Sequence, residues 1–301
     1  VMSSLSLTQL KAIGLKPLLV FASGSLFIAV FPLVFLLLFS ETELVSEIMI
    51  QEGYWMGIPP IVGSWIGGST SQLVLKELVE CPENIFLTVL VMDNILVNVW
   101  TILMFQSIKK SNKLNIWFKV TDIAIPEDIR VENGVKLNPM VSIAIILGIV
   151  VLCNFLIESF VVKVVLLSFL GLAISNFIKQ WNYKFALKAG GILIIVVMAV
   201  LGLKLQIATL GFNMPFLGFL VVWLVGHFLF MILIAKLLNI NMAWVPIASM
   251  ANVGGIATAP AVTAAYNLKW MPHAIVLAIL SMATGTFWGM LTIWLVKYFV
   301  I

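Results

Sequence analysis

The stretch from Ile58 to Ser71 reads IPPIVGSWIGGSTS, and the stretch from Val245 to Thr258 reads VPIASMANVGGIAT. Each copy has a proline near its start, then a Gly-Gly pair and then a hydroxyl-bearing residue, all within apolar sequence of helical length. Proline and paired glycines interrupt helices, because proline lacks a backbone N–H and glycine has a high conformational entropy to lose. In membrane proteins, helices interrupted at matching places in two halves are typical of a transporter binding site, where freed backbone groups hold an ion or solute.

The composition places the chain in a lipid bilayer. Hydrophobic residues make up 62% of it and charged residues only 10%, and the mean hydropathy is +1.15. A soluble domain carries about 25% charged residues, and a spanning helix needs about 20 apolar ones. The sequence therefore predicts an all-α, polytopic membrane protein. Its predicted apolar segments are Leu18 to Phe39, Tyr54 to Leu75, Asn84 to Ile108, Met140 to Ile157, Val164 to Ile178, Ala189 to Leu203, Met214 to Ala235, Trp244 to Leu268 and Trp270 to Val296.

Charge and motif content argue against several other classes. The net charge is +4, but the lysines lie mostly between apolar segments, which is the positive-inside pattern of membrane proteins, so we expect no nucleic-acid partner. Cys81 and Cys153 are too few for a disulfide framework and have no partner at metal-ligand spacing. A single buried aspartate does not fit a two-aspartate protease, and no Gly-x-Ser-x-Gly or His-Glu-x-x-His motif occurs. We therefore expect neither an enzyme nor a resident cofactor.

The Gly-Gly stretches belong to a larger repeat. Pro17 and Pro215 each open an apolar span that precedes a Gly-Gly stretch, and Pro82 and Pro272 each precede a last span. Because further spans precede only the second copy, we hypothesise that the chain is N-terminally truncated relative to a longer transporter. The predicted divisions are a partial first repeat over 1–108, a polar linker loop over 109–138 and a second repeat over 139–301.

The distribution of basic residues favours re-entrant Gly-Gly segments. If each segment enters and leaves the membrane on one side, all but four of the 17 Lys and Arg residues fall on the inner side. The four exceptions are Lys76, Lys163, Lys204 and Lys297. This arrangement also makes the two copies antiparallel, which is the inverted repeat of many transporters. Broken helices that cross the membrane completely give a weaker charge asymmetry and remain the alternative.

Asp93 is the one acidic residue deep inside a predicted span. A charge at that depth costs about 2.5 to 3.5 kcal/mol on insertion scales, so such residues usually face the protein interior and mark ion or proton paths. Asn94 offers amide groups beside it. We interpret Asp93 as a coupling group for Na+ or H+; the alternative is a protonated carboxyl that only joins helices by hydrogen bonds.

The two breaks supply the other candidate ligands. Gly67 and Gly68 precede the polar residues Ser69, Thr70, Ser71 and Gln72. Gly254 and Gly255 lie between Asn252 and Thr258, and Pro260 stands where a new helix could begin. Hydroxyl, amide and carbonyl oxygens suit Na+, and a helix N-terminus attracts a carboxylate. The alternative role for these small residues is close helix packing.

The segments Gly63–Gly68 and Ala251–Val262 closely resemble the DUF819 family of predicted membrane proteins, and the resemblance covers essentially the whole chain. That family is distantly similar to cation/proton antiporters and sodium-coupled anion symporters. The resemblance implies an inverted repeat in which broken helices cross near a buried carboxylate. Asp93-Asn94 stands where some of those antiporters have paired acids, and the asparagine departs from that pattern. The family does not specify a substrate.

The resulting prediction is a secondary active transporter of a small solute such as an organic anion, coupled to Na+ or H+ and working by alternating access. An uncoupled channel and a non-transporting scaffold or fragment are the alternatives. Expected partners are the bilayer, the solute and the coupling cation, with a homodimer as a further option. The expected location is the cell (cytoplasmic) membrane, with multiple spans.

Overall fold

The computed structural model describes residues 13–123, 136–178 and 213–301, together with scattered positions between 180 and 199. The described part is helical, and a single bridge between Asp122 and Ile240 is its only β pairing. The helices are α1 (Leu15–Leu38), α2 (Ile58–Gly67), α3 (Ser69–Val79), α4 (Glu83–Lys109), α5 (Ser111–Trp117), α6 (Pro139–Leu156), α7 (Phe160–Phe177), α8 (Met214–Leu237), α9 (Trp244–Val253), α10 (Gly255–Ala264) and α11 (Met271–Phe299). A π-helical turn covers Leu44–Gln51, and 3₁₀ turns cover Tyr54–Gly57 and Leu268–Trp270.

Five of the described helical segments are long and apolar enough to cross a membrane. They are Leu15–Leu38, Glu83–Lys109, Pro139–Leu156, Met214–Leu237 and Leu268–Phe299. This confirms the prediction of an all-α, multi-pass membrane protein for the described residues. The predicted span from Ala189 to Leu203 lies largely outside them.

Helices α1 and α8 pack side by side and run in opposite directions. The rings of Phe35 and Phe219 are 4.8 Å apart near the end of α1 and the start of α8. Earlier in α1 and later in α8, His227 Nδ1 lies 3.2 Å from the Gly24 carbonyl oxygen. The pairing order is thus reversed between the two helices, which places the end of α1 beside the start of α8.

Helices α2 and α3 form a hairpin, here named hairpin 1, that turns at Gly68. A β-carbon built at Gly63 would lie 2.8 Å from the carbonyl carbon of Ser71. In a straight helix those positions would be about 12 Å apart. Gly68 makes the turn with φ of 73°, a backbone conformation that other L residues rarely adopt. The predicted single segment from Tyr54 to Leu75 is therefore two helices that double back.

Helices α9 and α10 form hairpin 2, which turns at Gly255 with φ of 62°. The Asn241 side-chain amide before α9 donates to the Tyr266 hydroxyl after α10, at 3.2 Å. Those residues would be about 38 Å apart if one straight helix joined them. The rings of Trp244 and Trp270 also meet, with centroids 4.8 Å apart. The predicted segment from Trp244 to Leu268 is thus also two helices lying side by side.

Hairpin 1 packs directly against the backbone of α11. A β-carbon at Gly67 would lie 3.0 Å from the Cα of Gly285, and one at Gly289 would overlap the Leu75 side chain. Small residues at four-residue spacing allow such close approach between membrane helices. Helix α11, which follows hairpin 2 in the chain, thereby holds hairpin 1 in place.

The predicted linker loop over 109–138 is corrected in part. Lys109 still belongs to α4, and Ser111–Trp117 form the short helix α5. The Asn115 amide stabilises this region, because it donates to Asn241 Oδ1 at 3.0 Å and accepts from the Met242 N–H at 2.8 Å. A polar residue that satisfies buried backbone groups looks the same in sequence as one that faces solvent. Residues 124–135 of the linker lie outside the described part.

Candidate functional site

The Asp93 carboxylate lies in α4 between the two arms of hairpin 1 and is 2% exposed. It accepts hydrogen bonds from Ser64 Oγ at 2.5 Å and Trp65 Nε1 at 2.7 Å, both in α2. Gln72 Nε2 of α3 donates a third bond at 3.2 Å. Because both arms bond the same carboxylate, its chemical state is linked to the shape of the hairpin.

No described salt bridge includes Asp93. The ion pairs in the described part are Lys16 with Asp122, at 2.6 Å, and Lys76 with Glu77, at 2.9 Å. Three neutral donors surround the carboxylate, and hydrogen bonds to a charged acceptor are roughly twice as strong as neutral ones. The group is therefore placed to hold a proton or to attract a cation.

A second buried polar cluster joins both hairpins, and we call it the oxygen junction. It comprises Ser25 of α1, the Ile66 carbonyl of α2, Asn252 of α9 and Ser281 of α11. Asn252 Oδ1 lies 3.0 Å from Ser25 Oγ and 3.1 Å from Ser281 Oγ, and Ser281 Oγ also contacts the Ile66 carbonyl oxygen. All four residues are at most 1% exposed. The junction brings a polar group of each hairpin onto one serine.

The remaining candidates of hairpin 1 divide between two environments. Ser71 is buried and accepts a hydrogen bond from Thr286 of α11 at 3.0 Å. Ser69 is half-buried and Thr70 is exposed, and neither side chain forms a hydrogen bond within the described part. A β-carbon at Gly68 would meet no atom within 4 Å. The turn of hairpin 1 thus borders open space while its arms are packed.

The candidates of hairpin 2 are arranged differently from the prediction. Thr258 Oγ1 is buried beside Gly254 and has no hydrogen-bond partner in the described residues. Pro260 lies inside α10, so the expectation that it begins a helix is wrong. The positive φ of Gly255 already turns the chain, and α10 begins at that residue. A β-carbon at Gly255, as at Gly68, would have no neighbour within 4 Å.

Asn94 does not join Asp93. Its side chain is exposed on a different face of α4 and donates to the Leu90 carbonyl of its own helix at 2.7 Å. Adjacent residues on a helix point about 100° apart, so a neighbour in sequence is not a neighbour in the site. The structure brings Asp93 together with Gln72, and it places Asn252 in the oxygen junction.

A family model described as "Protein of unknown function (DUF819)" matches residues 4–299. The chain belongs to the DUF819 family. No curated protein and no solved structure matches it.

The sequence-based prediction for this DUF819 protein missed Ser64, Trp65, Ser25 and Ser281. The structure pairs two of these positions by register, because Asp93 is the eleventh residue of α4 and Ser281 is the eleventh residue of α11. The sequence alone does not show this pairing, because Asp93 lies eleven residues after Pro82 and Ser281 only nine after Pro272. Ser25 had no sequence signal either, since a serine within an apolar helix commonly bonds its own backbone.

Proposed function

We propose that this DUF819 protein is a secondary active transporter that couples the movement of a small solute to Na+ or H+. The observation that supports the proposal most strongly is the Asp93 carboxylate, buried among three neutral donors from both arms of a broken helix. Ionisable residues buried in membrane helices are costly and usually functional. Asp93 is the proposed coupling group.

The arrangement of the helices supports an inverted repeat. The units α1, hairpin 1, α4 and α8, hairpin 2, α11 have the same element order, and α1 runs opposite to α8. Hairpin 1 follows the end of α1, whereas hairpin 2 follows the end of α8, so the hairpins are proposed to enter the membrane from opposite faces. Transporters of this design bind their solute where two such elements meet.

The proposed cycle uses the difference between the hairpin arms and their turns. A cation or proton at Asp93 would change the hydrogen bonds from Ser64, Trp65 and Gln72, and so the packing of hairpin 1. The turns border open space, and α3 and α10 begin there with unpaired backbone N–H groups. Those N-termini favour an anionic group on the solute. The proposed solute class is therefore a small organic anion.

Uptake by proteoliposomes that contain the purified chain tests the proposal. A panel of radiolabelled carboxylates is offered under an inward Na+ gradient, an inward H+ gradient or neither. Wild-type uptake should saturate and should depend on one of the gradients. Asp93→Asn should abolish that dependence, because a neutral amide can neither take up and release a proton nor attract Na+ with a negative charge.

Glu77→Gln is the matched control, since Glu77 is an exposed carboxylate on α3 that pairs only with its neighbour Lys76 among the described residues. It should transport like wild type. Uptake by Asp93→Asn with an unchanged gradient dependence would contradict the coupling role. A steady, non-saturating current that follows the solute gradient would instead indicate a channel.

A further inference from the structure

The oxygen junction has more oxygen–oxygen contacts than hydroxyl hydrogens to bridge them. Ser25 Oγ lies within hydrogen-bond distance of both the Phe21 carbonyl oxygen, at 3.3 Å, and Asn252 Oδ1. Ser281 Oγ likewise lies against both the Ile66 carbonyl oxygen and Asn252 Oδ1. Each serine has one hydroxyl hydrogen, so two of these four oxygen–oxygen contacts have none.

Reversal of the Asn252 amide does not remove the excess. Its Nδ2 donates to the Phe21 carbonyl at 3.3 Å, and in the reversed orientation Oδ1 would face that carbonyl instead. In either orientation at least one pair of buried acceptors meets without a hydrogen. Oxygen atoms that are in contact without a hydrogen between them repel each other, and a cation between them would remove that repulsion.

Two helix ends reinforce this preference. Ile66 is the next-to-last residue of α2, and Asn252 is the next-to-last residue of α9. The C-terminal end of a helix carries a partial negative charge. The first helix of each hairpin, α2 or α9, therefore directs negative potential at the junction.

The ligand chemistry indicates the kind of cation. The junction offers hydroxyl, amide and carbonyl oxygens and no carboxylate, thiolate or imidazole ligand of its own. The described residues contain no group of three or more His, Cys, Asp or Glu side chains that could hold a metal ion. Hard, neutral oxygen ligands at helix ends suit Na+ better than a transition metal.

We infer that the oxygen junction is a Na+ site formed by Ser25 Oγ, the Ile66 carbonyl, Asn252 Oδ1 and Ser281 Oγ. This inference rests on the proposed function and deepens it, because it separates the ion site from the carboxylate that responds to it. Since each hairpin contributes one ligand, Na+ would fix the two hairpins to each other and to α1 and α11.

Na+ binding to the purified full chain tests the site. ²²Na+ binding is measured by scintillation proximity, and the thermal midpoint is followed against NaCl at constant ionic strength with choline chloride. Ser25→Ala and Ser281→Ala should each weaken Na+ binding by at least about tenfold, since each removes one ligand. Asn252→Asp keeps an oxygen at the ligand position and adds a negative charge, so it should strengthen Na+ binding, although a carboxylate oxygen replaces the donor to the Phe21 carbonyl.

Ser23→Ala and Thr284→Ala are the matched controls. Each removes a partly buried hydroxyl from the same two helices, and each hydroxyl bonds only its own helix backbone among the described contacts. They should bind Na+ like wild type. Wild-type affinity in Ser25→Ala, Ser281→Ala and Asn252→Asp would overturn the site.

Two results separate this site from the proposed function. If Asp93→Asn abolishes Na+ binding while the serine variants keep it, the ion binds at Asp93, and the site is overturned but the function stands. If wild type binds no Na+ yet takes up solute under an H+ gradient, the site is again overturned alone. Na+ binding lost in the serine variants, with no cation-driven uptake by wild type, supports the site and contradicts the function.

Discussion

The two hairpins have the same backbone plan but different chemistry at equivalent positions. In the first unit the last helix presents Asp93, which accepts bonds from Ser64, Trp65 and Gln72. In the second unit the equivalent residue is Ser281, which contacts the neutral Asn252. Equivalent positions of the two units therefore both hold a polar group, while the residue type at that position decides whether the group can carry a charge.

The hairpins also differ in how they are held. The turn of hairpin 1 is clamped backbone to backbone, since Gly67 and Gly285 allow no β-carbon between them. At hairpin 2 a β-carbon on Gly254 would meet the side chains of Thr258 and Met250, which can rotate. Substitutions at the turn of hairpin 1 should therefore lower stability more than substitutions at the turn of hairpin 2.

The largest expected effect is a difference between the two hairpins in the labelling of their flanking cysteines from one side of the membrane. In a Cys81→Ala, Cys153→Ala background, cysteines at Gln51 and Glu77 flank hairpin 1, and cysteines at Leu237 and Leu268 flank hairpin 2. All four native positions are exposed. In oriented vesicles an impermeant maleimide should label one pair and spare the other. Labelling of one member from each pair would indicate crossing helices instead.

A large loss of stability is expected from Gly285→Ala. The new methyl group would press on the Gly67 backbone, and such overpacking costs about 1 to 3 kcal/mol or more. Gly254→Ala should lower the thermal midpoint less, because side chains can give way. Gly148→Ala is the control, since a β-carbon there meets nothing within 4 Å. Equal losses from Gly285→Ala and Gly254→Ala would remove the proposed difference.

Asp93→Ala should destabilise the protein more than Ser281→Ala. It recovers about 2.5 to 3.5 kcal/mol of burial cost for the charge. It also leaves the buried donors of Trp65 and Gln72 unpaired, at about 1 to 3 kcal/mol each, and removes the acceptor of the partly buried Ser64 hydroxyl. Ser281→Ala removes only one hydroxyl. Thermal melting in detergent compares the two variants, and a higher midpoint for Asp93→Ala would show that the donors find other partners.

The smallest effects are expected from two hydroxyls near the turns. Ser71→Ala loses the bond from Thr286 and should cost about 1 kcal/mol. Thr258→Val should change stability by less than about 0.5 kcal/mol, because Thr258 Oγ1 has no partner in the described part to lose. If Thr258→Val instead impairs uptake at unchanged stability, that hydroxyl contacts the solute.

The sequence predicted the membrane class, the breaks and the buried aspartate, because each depends on local composition. The glycines at 68 and 255 and the depth of Asp93 are visible one residue at a time. The partners of Asp93 were only partly predictable, since Ser64 and Trp65 precede the break, where side-chain direction depends on helix phase. Asn94 illustrates the converse. Its position next to Asp93 in the sequence suggested a shared site, but its side chain lies on a different face of α4. The oxygen junction joins residues 25, 66, 252 and 281, and only the folded chain brings them together.

The most direct test of the coupling role of Asp93 is charge displacement after a cation jump. Proteoliposomes on a solid-supported membrane are switched to Na+, or to lower pH, without solute. Wild type and Glu77→Gln should give a saturable transient current for one of the two cations. In Asp93→Asn a proton-induced transient should disappear, whereas a Na+-induced transient should remain but require a higher Na+ concentration, because Na+ keeps its oxygen ligands and loses the effect of the carboxylate. A transient of wild-type size and midpoint in Asp93→Asn would contradict the account.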